Sequence, residues 1–239
     1  MQALTITATM PHGVVSSRPW GVALDGLLSS VLWHRRKREA RESNDYLIFQ
    51  PDQVPEDLDL PLARCGDAET PDWHWMATFA DQLPRFDEEI IDLRLQTAHT
   101  NRSRLQQLVP VIGTYAVSDR RGRYQRKYIP VLARPCSELT WNAVGDAELI
   151  RDLLQDLPAI GKHRGTGEGV VSQWTVTDAP DTPWWSAGHE HEPGILGRTA
   201  PLRCLQDVAE LRTGPAGEAP IRPPYLHPAS RTPSRHPAR

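Results

Sequence analysis

A chain of 239 residues with 39% hydrophobic content is long enough to bury one large core or two small ones. Its formal net charge of -3, with 27 lysines and arginines against 30 aspartates and glutamates, excludes nucleic-acid binding by bulk electrostatics, so any such site has to be a local patch. The three cysteines, Cys65, Cys136 and Cys204, are odd in number, far apart and without paired ligand spacing, so neither a disulfide framework nor a zinc site is predicted and a reducing cytoplasm fits.

The N-terminus runs straight into a strand pattern, with no charged leader and long apolar stretch, so no signal peptide or membrane helix is expected. Residues 4–10 alternate apolar side chains at even positions with threonines at odd ones, the period of a half-buried strand. After Pro11 and a loop, Leu24, Leu27, Leu28, Val31 and Leu32 share one face of a predicted helix. Its end carries His34-Arg35-Arg36-Lys37-Arg38, cations that offset the helix macrodipole and read as a solvated helix end. From about Gln50 to Asp72 the chain is acidic and broken by Pro51, Pro55, Pro61 and Pro71, which predicts an irregular insertion. Residues 73–80, with Trp73, Trp75, Met76 and Phe79, fit either a strand or a covering segment.

Between Arg94 and Arg134 the charge reverses: Arg94, Arg102, Arg104, Arg120, Arg121, Arg123, Arg126, Lys127 and Arg134 stand against Asp119. Val111 to Val117 and Tyr124 to Leu132 are strand-like runs flanking Ser118 to Arg123, which predicts a hairpin with a cationic tip; an ordinary surface hairpin has the same signature. Residues 138–144 read as a further strand, and Gly145-Asp146 as a turn with an aspartate cap. Leu149, Ile150, Leu153, Leu154 and Leu157 then form the apolar face of a second helix that Pro158 stops. A glycine-rich stretch, Gly161 to Gly169, leads into a strand over Val170 to Val176. Beyond Asp178 irregular structure is expected, and beyond Arg212 proline and arginine predict a disordered tail.

The glycine stretch is neither a P-loop, because Gly-Lys-Ser/Thr is missing, nor a dinucleotide fingerprint, because it leaves a helix and enters a strand. A plain connection is one reading. The other is a cationic loop in which Lys162, His163 and Arg164 sit among Gly165 and Gly167, residues that let a sugar-phosphate backbone approach the chain. His12, His163, Tyr124 and Lys127 have the right chemistry for metal-independent RNA cleavage, yet no spacing ties them together, so no catalytic residue is assigned. His189 and His191, flanked by Glu190 and Glu192, form an i, i+2 pair without a third ligand; an exposed polar loop is expected there, with no metal and no cofactor.

Two stretches together resemble the RAMP superfamily of CRISPR proteins: the first strand followed by Leu24-Asp25-Gly26-Leu27-Leu28 opening a helix, and Gly161 to Val171 between the last helix and last strand. In size and layout the chain is most similar to the Cas-five-like subunit of type IV systems. The resemblance implies an α+β, ferredoxin-like (RRM-like) domain over residues 1–177 with a β-hairpin thumb inserted at about 94–134, an irregular extension over 178–212 and a Pro/Arg-rich tail over 213–239. It implies a non-catalytic, cytoplasmic subunit that caps the 5′ handle of the guide, touching RNA through Lys162, His163, Arg164, Gly165 and Gly167 and through Arg120, Arg121, Arg123, Arg126 and Lys127. The implied partners are CRISPR RNA, an adjacent backbone RAMP subunit, the large subunit and target DNA, with no membrane. Glu168, an acid inside the loop, and the Pro/Arg tail depart from the pattern. The alternatives are an endoribonuclease that processes precursor RNA, and a hydrolase or transferase with its site between Trp184 and His191.

Overall fold

Strand β1 (Gln2–Thr9) lies inside the largest sheet of a mixed α+β protein, seen in a computed structural model that describes residues 1–16, 20–48, 50, 52–83, 91–98, 125, 127–208 and 210–238. The even positions of its sequence pattern, Leu4, Ile6, Ala8 and Met10, are fully buried, whereas Thr5, Thr7 and Thr9 are half-buried. Helix α1 (Leu24–Glu42) follows, and the chain then forms a short hairpin of β2 (Arg64–Cys65) and β3 (His74–Trp75) before β4 (Asp81–Leu83). An arm of β5 (Asp92–Ala98) and β6 (Lys127–Ala133) precedes β7 (Glu138–Gly145), helix α2 (Ala147–Leu154) and β8 (Gln173–Asp178).

The four-stranded sheet has the order β4-β7-β1-β8 with every neighbouring pair antiparallel, so the first strand lies beside β8, in register from Leu4 opposite Asp178 to Thr9 opposite Gln173. One face carries α1 and α2 over a core that includes Leu24, Leu28, Val31, Trp141, Ile150, Leu153 and Leu154. Asp146 caps α2 by accepting from the backbone N–H groups of Glu148 and Leu149, as the sequence predicts. The other face is partly covered by helix α3 (Trp184–His189), where Ala187 packs with Ala3, Met76 and Val144.

Several segments differ from the sequence reading. The partner of β6 is Asp92–Ala98, with Arg94 opposite Val131 and Ala98 opposite Lys127; the predicted strand Val111–Val117 lies outside the described residues. The last strand of the sheet begins at Gln173, because Val170 is drawn into a bridge with Ala159 that closes the base of the glycine stretch. Residues 73–80 continue the sheet as strand and bridge, with Ala77 opposite Ala143 and Phe79 opposite Ala23. In place of the irregular segment and disordered tail, α3 is followed by β9 (Glu190–Glu192), β10 (Ile195–Leu196), β11 (Ala200–Pro201), β12 (Ala216–Pro220) and β13 (Arg231–Arg235). Low apolar content misleads here because strand pairing of β13 with β11 and β12 satisfies the backbone, and two of the apolar groups, Ala219 and Ile221, are buried although Leu226 is exposed. Among the described residues no helix is long and apolar enough to cross a membrane.

The start of α1 is tied to this C-terminal region by a buried charge pair. Asp25 and Arg198 are both fully buried, with Nη2 of Arg198 4.0 Å from Oδ2 of Asp25. The carboxylate also accepts from the Tyr225 hydroxyl at 2.8 and 2.9 Å and from the Gly26 backbone N–H at 2.8 Å. Burial nevertheless dominates and pushes its pKa from 3.8 up to about 6, against the lowering influence of the Arg198 charge and the Tyr225 hydrogen bond. Folded Asp25 therefore keeps a proton that the unfolded chain has released, and this site's contribution to stability falls as pH rises between those two values. Relative to Asp25→Asn, the wild type should gain about 1 kcal/mol of unfolding free energy when pH is lowered from about 7 to about 5. Denaturant titrations of both proteins at the two pH values measure this, and a difference that does not move with pH would refute the burial account.

Candidate nucleic-acid interface

The glycine stretch is a folded loop with two kinds of glycine. Gly161 and Gly169 have φ of +82° and +67°, and a Cβ at either would overlap a backbone carbonyl, that of Val15 or Ile160. These two frame the loop, helped by hydrogen bonds from the Lys162 N–H to the Val15 carbonyl at 2.8 Å and from the Ile160 N–H to the Gly169 carbonyl at 2.9 Å. Gly165 and Gly167 are different: a Cβ at either would meet nothing within 4 Å. Of the two, only Gly167 has positive φ, +94°, while Gly165 lies in a single 3₁₀ turn over Arg164–Thr166. The backbone there is bare and open, and Lys162, His163 and Arg164 beside it are exposed.

A groove of about 730 Å³ is lined by Arg164, by His34, Lys37, Arg38 and Arg41 of the C-terminal half of α1, by Tyr46, and by the acids Asp45 and Asp156. The basic run of α1 is thereby divided. Arg35 binds Asp152 and Asp156 of the α2 end, and Arg38 reaches Asp156 at 3.1 Å. The hydrogen bond from Arg35 is the main cause holding the Asp156 carboxyl below its ordinary range, so this acid stays charged and engaged. Lys37, Arg41, Lys162 and Arg164 form no ion pair with any described residue. The basic run is a solvated helix end, with His34, Lys37, Arg38 and Arg41 exposed, and their three- and four-residue spacing places them on a single helical stripe that lines the groove.

The arm is seated on the loop. Arg94 of β5 pairs with Glu168 and donates to the His12 carbonyl at 2.8 Å, and Gln96 donates to the Thr166 hydroxyl at 2.6 Å. Glu168, the acid within the glycine stretch, is therefore buried against a guanidinium and joins loop to arm. The opposite face of the arm carries Leu93 and Leu95, together with Tyr128, Pro130 and Leu132 from β6, and is exposed. Of the predicted hairpin cations, Lys127 is exposed at the start of β6, opposite Ala98; Arg120, Arg121, Arg123 and Arg126 lie outside the described residues.

Among the described residues, no side-chain hydrogen bond joins the candidate nuclease residues His12, His163 and Lys127 to one another. The His12 backbone is linked to the loop through Arg94, but no hydrogen bond joins the rings of His12 and His163 among the described residues, and Tyr124 lies outside them. His189 and His191 also part company. The His189 side chain meets Cys65, His74 and Cys204, four groups whose ligating atoms all lie within 4.8 Å of one another, and His191 lies outside this cluster. No sequence spacing links these four, because strand register and a helix end bring them together.

No protein-family model matches the chain, and no curated protein matches it. The division between framing and open glycines has a direct test. Gly169→Ala should cost more than about 2 kcal/mol through steric overlap and left-handed strain, whereas Gly165→Ala should stay within about 0.5 kcal/mol of wild type. Thermal and denaturant unfolding of both variants measures the contrast, and equal costs would mean that the loop is not held as described.

Proposed function

We propose that this chain is a non-catalytic RNA-binding subunit of RAMP type, with a ferredoxin-like core, that caps the 5′ handle of a CRISPR guide. The strand order supports the fold reading: β1, α1, β4, β7, α2 and β8 run strand-helix-strand-strand-helix-strand, with the first strand between the third and fourth. The observation that carries the functional reading is the open backbone at Gly165 and Gly167, placed between α2 and β8 and beside a groove lined by Lys37, Arg41 and Arg164. An open glycine backbone lets a sugar-phosphate strand approach closely, and the adjacent cations offer charge to phosphate oxygens while leaving bases free to be paired or stacked. Tyr46 at the rim offers an aromatic face for one base.

In this reading β5 and β6 are the root of the thumb, with Arg120, Arg121, Arg123, Arg126 and Lys127 facing RNA. The exposed apolar face of the arm is then the surface for the adjacent backbone subunit. The large subunit, target DNA and a cytoplasmic setting belong to the same proposal, and the type IV assignment is its most specific element.

Affinity for the repeat-derived 5′ handle, measured as a function of salt, tests the groove. The triple variant Lys37→Ala, Arg41→Ala, Arg164→Ala should bind more weakly and lose about two units of salt slope, at about 0.7 per single-strand phosphate contact. An unchanged slope would remove the groove from the interface.

The loop is tested by Gly165→Val, which fits the open space without disturbing the fold but occupies the ligand's place, and which should reduce RNA retention more than His163→Ala does. A nuclease requires the opposite: metal-independent cutting of precursor RNA that disappears in His163→Ala while binding survives. That result would replace the binding reading with the endoribonuclease one.

A further inference from the structure

We propose that Cys65, His74, His189 and Cys204 form a closed, tetrahedral zinc site that pins the C-terminal part of the chain to the β2–β3 hairpin. The inference is independent of the RNA reading, since none of the four residues lines the groove or the loop.

Four separate elements converge on this point. The register of the hairpin sets Cys65 directly opposite His74; His189 is the last residue of α3, and Cys204 lies in the 3₁₀ turn Leu202–Leu205. His74 and His189 are buried and the two cysteines half-buried.

Four of the six spacings between ligating atoms lie within about 0.5 Å of the edges of a zinc tetrahedron, and all six lie within 4.8 Å. With Zn–S near 2.3 Å and Zn–N near 2.05 Å, a tetrahedral centre requires S···S of about 3.8 Å, S···N of about 3.5 Å and N···N of about 3.3 Å. The Cys65 and Cys204 sulfurs are 3.6 Å apart. Cys204 Sγ is 3.4 Å from His189 Nε2 and 3.9 Å from His74 Nε2, and the two Nε2 atoms are 2.9 Å apart.

The outer ring nitrogens decide what stands between the inner ones. His189 Nδ1 is 2.7 Å from the Trp185 carbonyl oxygen and His74 Nδ1 is 3.4 Å from that of Asp72. A carbonyl only accepts, so a ring bonded in this way carries a proton on Nδ1, and in its uncharged tautomer it turns the Nε2 lone pair inward. Two such lone pairs 2.9 Å apart are held together by a shared proton or by a metal cation between them, and the two adjacent sulfurs are further ligands for the metal. The same carbonyls are the outer partners that orient histidine ligands in metal sites. Trp185 also stacks on the His189 ring at 4.6 Å and fixes its plane.

The donor set identifies the metal and its role. Two thiolates and two imidazoles suit zinc and do not suit magnesium or calcium, and the two thiolate charges cancel the charge of the ion, as burial requires. All four positions are supplied by the protein, which is the pattern of a structural rather than a catalytic centre. The cross-link encloses the stretch from His189 to Cys204, which carries Arg198 to its place beside Asp25.

Elemental analysis of the full chain, purified under reducing conditions from zinc-supplemented cells, should find about one zinc per chain. Replacement by cobalt(II) should give intense visible bands of a tetrahedral centre together with thiolate-to-cobalt charge transfer in the near ultraviolet. The double variant Cys65→Ser, Cys204→Ser should lose both the zinc and the cobalt spectrum, whereas His191→Ala should keep both. A folded wild-type chain that takes up neither metal would overturn the proposal, as would a weak octahedral cobalt spectrum or a Cys65–Cys204 disulfide in the native protein. The wild-type measurements stand even where the double variant does not fold.

Discussion

The buried guanidinium of Arg198 is the interaction on which the arrangement of the chain depends. It donates to the carbonyls of Trp75 and Ala77 on the sheet edge, to Thr199 at 3.1 Å and to Ile221 at 2.6 Å, and it faces Asp25 at the opening of α1. A charge taken out of water to this depth is tolerable only when its donors are used and its charge is opposed. The rigid fork meets that condition because two distant stretches of chain and the adjoining Thr199 supply carbonyls, and a third distant stretch supplies a carboxylate. The arrangement is specific for the same reason that it is costly: shifting any of these stretches leaves a buried charge without partners.

This explains why a C-terminal region poor in apolar residues is nevertheless folded. Tyr225 reaches Asp25 by its hydroxyl and stacks edge-on against Phe79, and Arg222 donates to the carbonyls of Pro71 and Trp73 while lying over the Trp73 ring. Polar side chains here bind backbone groups of the N-terminal half and cover its aromatic residues, which does the work usually left to a second hydrophobic core. Composition alone registers proline and arginine and misses it, because the partners are more than a hundred residues away.

What was legible in the sequence was whatever repeats with a short period. The alternation at residues 4–10 placed Leu4, Ile6, Ala8 and Met10 in the core, the leucine spacing placed α1 and α2, and Asp146 announced its cap. The loop was legible as glycine-rich, but not which glycines frame it, since that depends on the carbonyls of Val15 and Ile160. Arg94 counted as one more cation of the basic patch until its pairing with Glu168 gave it another role. The Cys/His cluster was invisible for a related reason: its ligands come from a hairpin register, a helix end and a turn, and none of those contacts leaves a spacing rule behind.

The same accounting bears on how an acidic chain can present a cationic groove. Charge in this protein is sorted by pairing: the acids at the end of α2 hold Arg35 and Arg38, Glu168 holds Arg94, and Asp25 holds Arg198. What these pairs leave over is not spread evenly, because Lys37 and Arg41 share one stripe of α1 and line the same groove as Arg164, where, among the described residues, Asp45 is the one acid outside these pairs. Within a Debye length of about 8 Å at physiological salt, a ligand at that groove responds to these cations more than to the net charge of the chain. Under the proposed RNA-binding role, overall acidity would suppress indiscriminate attachment to nucleic acid and leave binding to a strand that fits both the groove and the open backbone beside it.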